Sequence, residues 1–232
     1  MDRPASRPLA VVTPRYATRL SLALAALTLL PTAGCLHMLL ATGIYMFQGG
    51  NIKDAEYEGF KKKTVVVFCS QPVSQEFRHA GASRQISQRV SELLEEHLTK
   101  KQKIKVVPQR KVDAWIDEND SDDYLELAKA VKADMVLYID LAHFDLMPGQ
   151  TVYQGSSDIT LKVHDMTTGG NIVWSKPLGE ILYPLNAPIA AQSKSPSTFQ
   201  TEYVNVLAMA IGKHFYPHDP TADFAMDALA NR

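Results

Sequence analysis

Six residues constrain this chain most: "TVVVFC", Thr64 to Cys69. The run is short, rich in β-branched residues and apolar without a break. A strand with one face in water would alternate, so this one is predicted to be buried on both faces. Such a strand sits inside a sheet with helices packed over it, which restricts the chain to an α/β fold. The next segment obeys that restriction. Ser83 to Lys100 places Ile86, Val90, Leu93, Leu94 and Leu98 at three- and four-residue spacing, the stripe of an amphipathic helix. Ser83 is its predicted N-cap, and the lysines at the far end suit the helix dipole.

A second strand is predicted over Lys103 to Val107, stopped by Pro108, and a brief helical turn around Val112 to Ile116. A helix from Asp122 to Lys132 leads into a strong strand, Met135 to Phe144. The loop "DLMPGQ", Asp145 to Gln150, separates it from a long strand, Tyr153 to Asp165, alternating around Ile159, Leu161 and Val163. The turn "MTTGG" and a partner strand, Asn171 to Lys176, close a hairpin. A Pro/Ser/Ala-rich connector, Tyr183 to Pro196, precedes a final helix that starts near Ser197. That helix stacks Phe199, Tyr203, Leu207, Ile211 and Phe215 on one face and ends by Pro217. The order β-α-β-α-β-β-β-α predicts a mixed α/β sheet flanked by helices. Its first three strands are parallel through right-handed crossovers, and the hairpin strands are antiparallel.

The leader has a different character. Arg3, Arg7, Arg15 and Arg19 stand against one acid, Asp2, and Leu20 to Leu30 is an uninterrupted apolar run. Thr32, Ala33 and Gly34 follow, directly before Cys35. A cationic segment, an apolar run and small residues are the three parts of a secretory signal. The stretch resembles the lipobox of bacterial lipoproteins, with Thr32 standing where that family prefers Leu. The resemblance implies cleavage between Gly34 and Cys35 and a diacylglycerol thioether on Cys35. Leu36 as the next residue, rather than Asp, points by the same resemblance to the outer membrane. Two alternatives stand beside it: an uncleaved span from Leu20 to Phe47, long enough to cross a bilayer, and an ordinary cleaved signal. Pro31, Gly34, His37 and Gly43 interrupt the span. All three readings place the body outside the cytoplasm. The expected organisation is a signal over 1–34, then the lipidated cysteine, an apolar stretch and a connector over 35–63. A single α/β domain over 64–216 and a tail over 217–232 complete it.

Four of the 24 basic residues and one of the 25 acids lie in residues 1–34, which leaves 20 and 24 and a net charge of −4. A mildly acidic body argues against nucleic acid as a partner, which would call for a basic face. With two cysteines, one of them Cys35, no disulfide framework is expected.

Two stretches carry a further resemblance. Ala133 and Asp134 sit between a helix and a strand, and Asp165, Thr168, Gly169, Trp174 and Ser175 form the pattern Asp-x-x-Thr-Gly-x-x-x-x-Trp-Ser. Together with the element order, these resemble envelope lipoproteins: the curli-export lipoprotein, the penicillin-binding-protein activator lipoproteins and the amino-terminal domain of the Tol-Pal translocation protein. The resemblance implies a membrane-anchored, non-catalytic binding or assembly module with an envelope protein as partner. The alternatives are an envelope enzyme and an oligomeric export component.

Residues that carry chemistry are scattered. Cys69 ends a strand with no local base to raise its thiolate fraction, so it reads as a core cysteine. "DENDSDD", Asp117 to Asp123, places oxygen ligands at alternate positions. A calcium loop would need Gly and Glu where Asp122 and Ala128 stand, so the run reads as a helix-initiating acidic loop. His214 and His218 are separated by Pro217, which argues against a shared metal. "AGAS", Ala80 to Ser83, lacks the Gly-Lys-Ser/Thr ending of a P-loop, and the glycines of "TTGG" serve a turn. Lys61 to Lys63 reads as a solvated lead into the first strand. The expectation is therefore no catalytic residue, no cofactor and no metal. The exposed edge of the sheet and the loop Asp145 to Gln150 are the candidate contact surfaces.

Overall fold

β1 (Thr64–Ser70) is buried from Val65 to Cys69, and the sheet forms around it. The computed structural model describes residues 52–76, 79, 81–119, 121, 123–149 and 151–220, so Gly34 and Cys35 lie outside the described residues. β2 (Lys105–Val106) and β3 (Met135–Asp145) flank β1, both parallel to it, joined through helical crossovers as parallel pairing requires. β5 (Gly155–Asp165) pairs antiparallel with β3, and β6 (Asn171–Tyr183) antiparallel with β5. The spatial order is β2-β1-β3-β5-β6. A separate two-stranded ladder joins β4 (Val152–Tyr153) to β7 (Ile189–Ala190).

Helices cover both faces of β1. On one side Val65, Val67, Leu137 and Leu161 meet Ile86, Val90 and Leu94 of α2 (Ala82–Gln102) and Phe199, Tyr203 and Leu207 of α5 (Pro196–Gly212). On the other, Val66, Phe68 and Val136 meet Val112 of α3 (Gln109–Asn119) and Leu127 and Ala128 of α4 (Tyr124–Ala130). A single turn, α1 (Val73–Glu76), lies between β1 and α2. The mixed α/β sheet with flanking helices is as expected, and among the described residues no helix is long and apolar enough to cross a membrane.

Local chemistry sets the element ends. Asp123 caps α4 by accepting from the N–H groups of Leu125 (2.8 Å) and Glu126 (3.2 Å). Ser195 caps α5 through the Thr198 N–H at 3.1 Å, with Pro196 in the first turn, where a missing N–H costs nothing. Ser83 is not the cap of α2. The helix starts one residue earlier, behind Gly81 at φ 80, and Ser83 lies in its first turn. Glycine adopts that left-handed φ without strain.

The motif residues are structural. Asp134 Oδ2 accepts the Thr64 N–H at 2.7 Å, tying the starts of β1 and β3 together. Asp165 accepts the Thr167 N–H at 2.8 Å, Thr168 Oγ1 donates to the Asp165 carbonyl at 3.0 Å, and Gly169 takes φ 85. A 3-10 turn, Met166–Thr168, thus closes the hairpin. Trp174 packs edge-on against Phe215 at 5.4 Å, and Ser175 Oγ donates to the Leu161 carbonyl at 3.2 Å.

Three lengths differ from expectation. α3 is a full eleven-residue helix rather than a turn, because Val112 is buried and Trp115 and Ile116 pack against the same cluster. β2 keeps only two residues, and β6 runs on to Tyr183 because β5 offers it a partner along its whole length. The polar stretch before β1 is held in place as well. Lys53 and His218 exchange backbone hydrogen bonds at 2.9 and 3.0 Å, and the fully buried Phe60 ring stacks on Phe215 at 5.2 Å.

Candidate functional site

The short β2 leaves a gap. Its last ladder bond runs from the Val107 N–H to the Val65 carbonyl at 2.9 Å, and Pro108 then turns the chain into α3. β1 continues to Ser70 with α2 over one face and α3 over the other. The chain leaves β1 for one neighbour and returns on its other side, so the carboxyl end of β1 is a topological switch point. In open α/β sheets that is where ligands settle.

A cavity of about 130 Å³ occupies this position, lined by Cys69, Gln71, Ser83, Arg84, Ser87 and Gln109 among others. Arg84 of α2 pairs with Asp117 of α3 beside it. Ser87 is buried. Both polar atoms of the Gln71 side chain are buried and make no hydrogen bond. Gln109 donates through Nε2 to Asp113 at 3.2 Å, while its Oε1 is buried without a partner. The Cys69 thiol is pushed up, first by burial and then by the charge of Asp140, and so stays protonated.

The other residues singled out from sequence do not gather here. Asp117 serves the Arg84 pair and Asp123 a helix cap. His218 is held by its backbone to Lys53, and His214 lies against Glu56. Among the described residues, no three His, Cys, Asp or Glu side chains are grouped to hold a metal. In the loop after β3, Asp145 Oδ1 accepts the N–H groups of Leu146 (2.7 Å) and Met147 (3.0 Å), so its first turn is pinned rather than free. The β6 edge exposes Ile172 (55 %) and Val173 (47 %), but Pro177, which has no N–H to offer, and register shifts within β6 interrupt it as a template for another strand. Gln71 and Gln109 escaped the sequence reading because glutamine is ordinarily solvated. Their one signal is position: each directly follows the end of a β segment or its terminating proline.

At the opposite end, Glu56 lies between Lys176 and His214, 3.3 Å from His214 Nδ1. The Lys176 ammonium, helped by His214 and opposed by burial, holds the Glu56 carboxyl down at about 2 from its ordinary 4.5. Burial lowers His214 below its ordinary 6.5, against the pull of Glu56. Both groups bind fewer protons folded than unfolded, so stability is full above pH 6.5 and falls with acidification. The urea midpoint should drop first as His214 is forced to protonate, then again between about pH 4.5 and 2 through Glu56. Glu56→Gln should flatten the second limb; an unchanged acid limb would remove Glu56 from the account.

No protein-family model and no curated protein matches this chain. Solved structures similar to it include the PelC dodecamer from Paraburkholderia phytofirmans, at 14 % identity and TM-score 0.40 over 70 % of this chain and 96 % of that one. Lipoprotein GNA1162 from Neisseria meningitidis follows at 13 % and 0.38, over 64 % and 96 %. The LpoB C-terminal domain from Salmonella enterica stands at 12 % and 0.29, over 52 % and 83 %. At these low scores and identities, none of the three lends this chain a role or a residue.

Proposed function

We propose that the chain is a lipoprotein of the bacterial envelope, held to a membrane leaflet by acyl chains on Cys35, that acts as a non-catalytic binding or assembly module. The observation that carries the non-catalytic part is Cys69. The one thiol lining the switch-point crevice is buried and stays protonated, and among the described residues no histidine or carboxylate lines the crevice to activate it or the serines beside it. A thiol or hydroxyl without an adjacent base is a weak nucleophile and serves better as a hydrogen-bonding contact. The anchor rests on the order of cationic segment, apolar run, small residues and Cys35. Each buried methylene of an acyl chain contributes about 0.8 kcal/mol, so two or more chains make a stable tether. Tethering raises the local concentration of the module near a neighbouring envelope protein, so a weak contact suffices. Leu36 after the cysteine favours the outer membrane, facing the periplasm.

Intact-mass measurement of the full chain extracted from envelopes should show an amino terminus at Cys35 carrying acyl mass, and Cys35→Ala should abolish that species. An unmodified terminus at Met1 would overturn the anchor.

A further inference from the structure

We infer that the end of the sheet where β1, β2 and β3 start is a docking face for an anionic membrane leaflet, with Lys105, Lys111 and Lys132 set around a headgroup phosphate. This goes beyond the binding-module reading and rests on its tether for the nearness of a leaflet. Along the sequence, Lys61 to Lys63 is a solvated triplet; the fold multiplies it. The Lys63 carbonyl accepts the Lys105 N–H at 3.0 Å, and the Lys62 N–H donates to the Gln102 carbonyl at 3.0 Å. The triplet therefore lies beside the turn from α2 into β2, which carries Lys100, Lys101, Lys103 and Lys105. The bond from Thr64 to Asp134 brings Lys129 and Lys132 to the same end, and Lys111 lines a cavity with Lys105 and Lys132. Three, four, two and one make ten, half of the twenty basic residues after position 34, in a body of net charge −4. Nine are exposed and Lys63 is half-buried. Among the described residues none of the ten forms an ion pair, and Asp134 and Asp165, placed at the same end, accept backbone N–H groups.

Backbone geometry gives an independent sign that charge is what these positions are kept for. Lys62, Lys103 and Lys132 take φ 59, 56 and 55, and among the described residues no other non-glycine has a positive φ. A lysine is strained there and a glycine is not. Three exposed turns at one end of the fold thus carry a cation where local geometry favours glycine.

The cavity selects among occupants. It measures about 370 Å³, and among the described residues no acid lines it. Three ammonium groups around one recess suit a phosphodiester, which takes each lysine as a point charge. A zwitterionic headgroup would bring its own ammonium into the same recess and be repelled. Acyl chains on Cys35 bring a leaflet close without choosing which end of the domain meets it. Ten cations gathered at one end make that choice, and the tether makes the encounter continuous.

The test reconstitutes the full chain into vesicles of phosphatidylcholine, with or without phosphatidylglycerol, and reads lysine acetylation residue by residue by mass spectrometry. Acetylation of Lys61, Lys105 and Lys132 should slow about tenfold in the anionic vesicles and recover in about 1 M salt, where charges are screened within about 3 Å. Lys194, before the start of α5 at the opposite end, should react alike in both. Lys62→Gly, Lys103→Gly and Lys132→Gly combined should leave the unfolding temperature unchanged or raised. The same variant should cut the protection of Lys61 and Lys105 to less than about twofold, since each lysine near an anionic leaflet is worth about fivefold. A lowered unfolding temperature would assign those lysines to the fold and overturn the reading. Equal acetylation in the two kinds of vesicle would overturn the face. Protection by soluble polyglutamate or duplex DNA at a lower charge concentration than by vesicles would overturn its assignment to a membrane. Protection without acyl mass at Cys35 would sink the tether alone, and acyl mass without protection the face alone, so the two failures are separable.

Discussion

Tyr203→Ala should lower the thermal midpoint of the full chain by about 8 to 16 °C, a loss of about 4 kcal/mol. Tyr203 is fully buried at the centre of α5, its ring stacked near Phe199, Tyr183 and Phe144. Its hydroxyl donates to the Ile181 carbonyl at 2.7 Å and lies 2.6 Å from the buried Ser157 Oγ, so it joins α5 to β5 and β6 at once. Truncation leaves a cavity the size of the ring and unpairs two buried oxygens. Two controls separate these effects. Tyr203→Phe keeps the ring and should cost about 1–2 kcal/mol, the hydroxyl's share. Gly155→Ala keeps the hydroxyl but drives a methyl to 2.6 Å from the ring, which backbone and stack must absorb for about 1–3 kcal/mol. A Tyr203→Ala midpoint within 2–3 °C of the parent (about 1 kcal/mol at this size) would show that α5 does not hold the sheet.

Phe60→Ala should cost about 3–5 kcal/mol, although the residue lies in a stretch that reads as a polar connector. Its ring is fully buried, edge-on to Tyr57 at 5.0 Å and stacked on Phe215 at 5.2 Å. The segment is held there because Glu56 and Tyr57 donate their N–H groups to the His214 carbonyl at 2.9 and 3.0 Å. With a whole-domain stability of about 5–15 kcal/mol, this one ring is a large share of the total. Chemical denaturation should show the lower midpoint with an unchanged slope. A changed slope would mean that the residues before β1 unfold separately from the sheet.

Legibility followed burial. β1 and β3 can be read directly because a strand covered on both faces carries almost no polar residue to disguise it. The stripe of α2 is equally plain, since helix spacing acts through neighbours along the chain; the start of α4 reads from sequence as Asp122, whereas Asp123 caps it from outside. The second half of β6 is obscured. "KPLGE" contains a proline and a glycine that look like a turn, and only pairing with β5 keeps that stretch extended. α3 sits behind Pro108 and ahead of a run of acids, so its apolar positions Val112, Trp115 and Ile116 read as less than a helix until the cluster around Phe68 and Tyr138 gives them something to cover.

The crevice shows the same division more sharply. Residue order was enough to specify the class of fold, the succession of its main elements and the hairpin turn at Gly169, because hydrophobic period and turn glycines act within a few residues of themselves. Packing between distant segments settled the rest: β2 stops after two residues, amide atoms of Gln71 and Gln109 are shut away from water, and Phe60 stacks on Phe215 near the far end of the fold. Those outcomes depend on which surfaces remain uncovered once remote elements have met, and neither glutamine carries any local mark of the solvent it will lose.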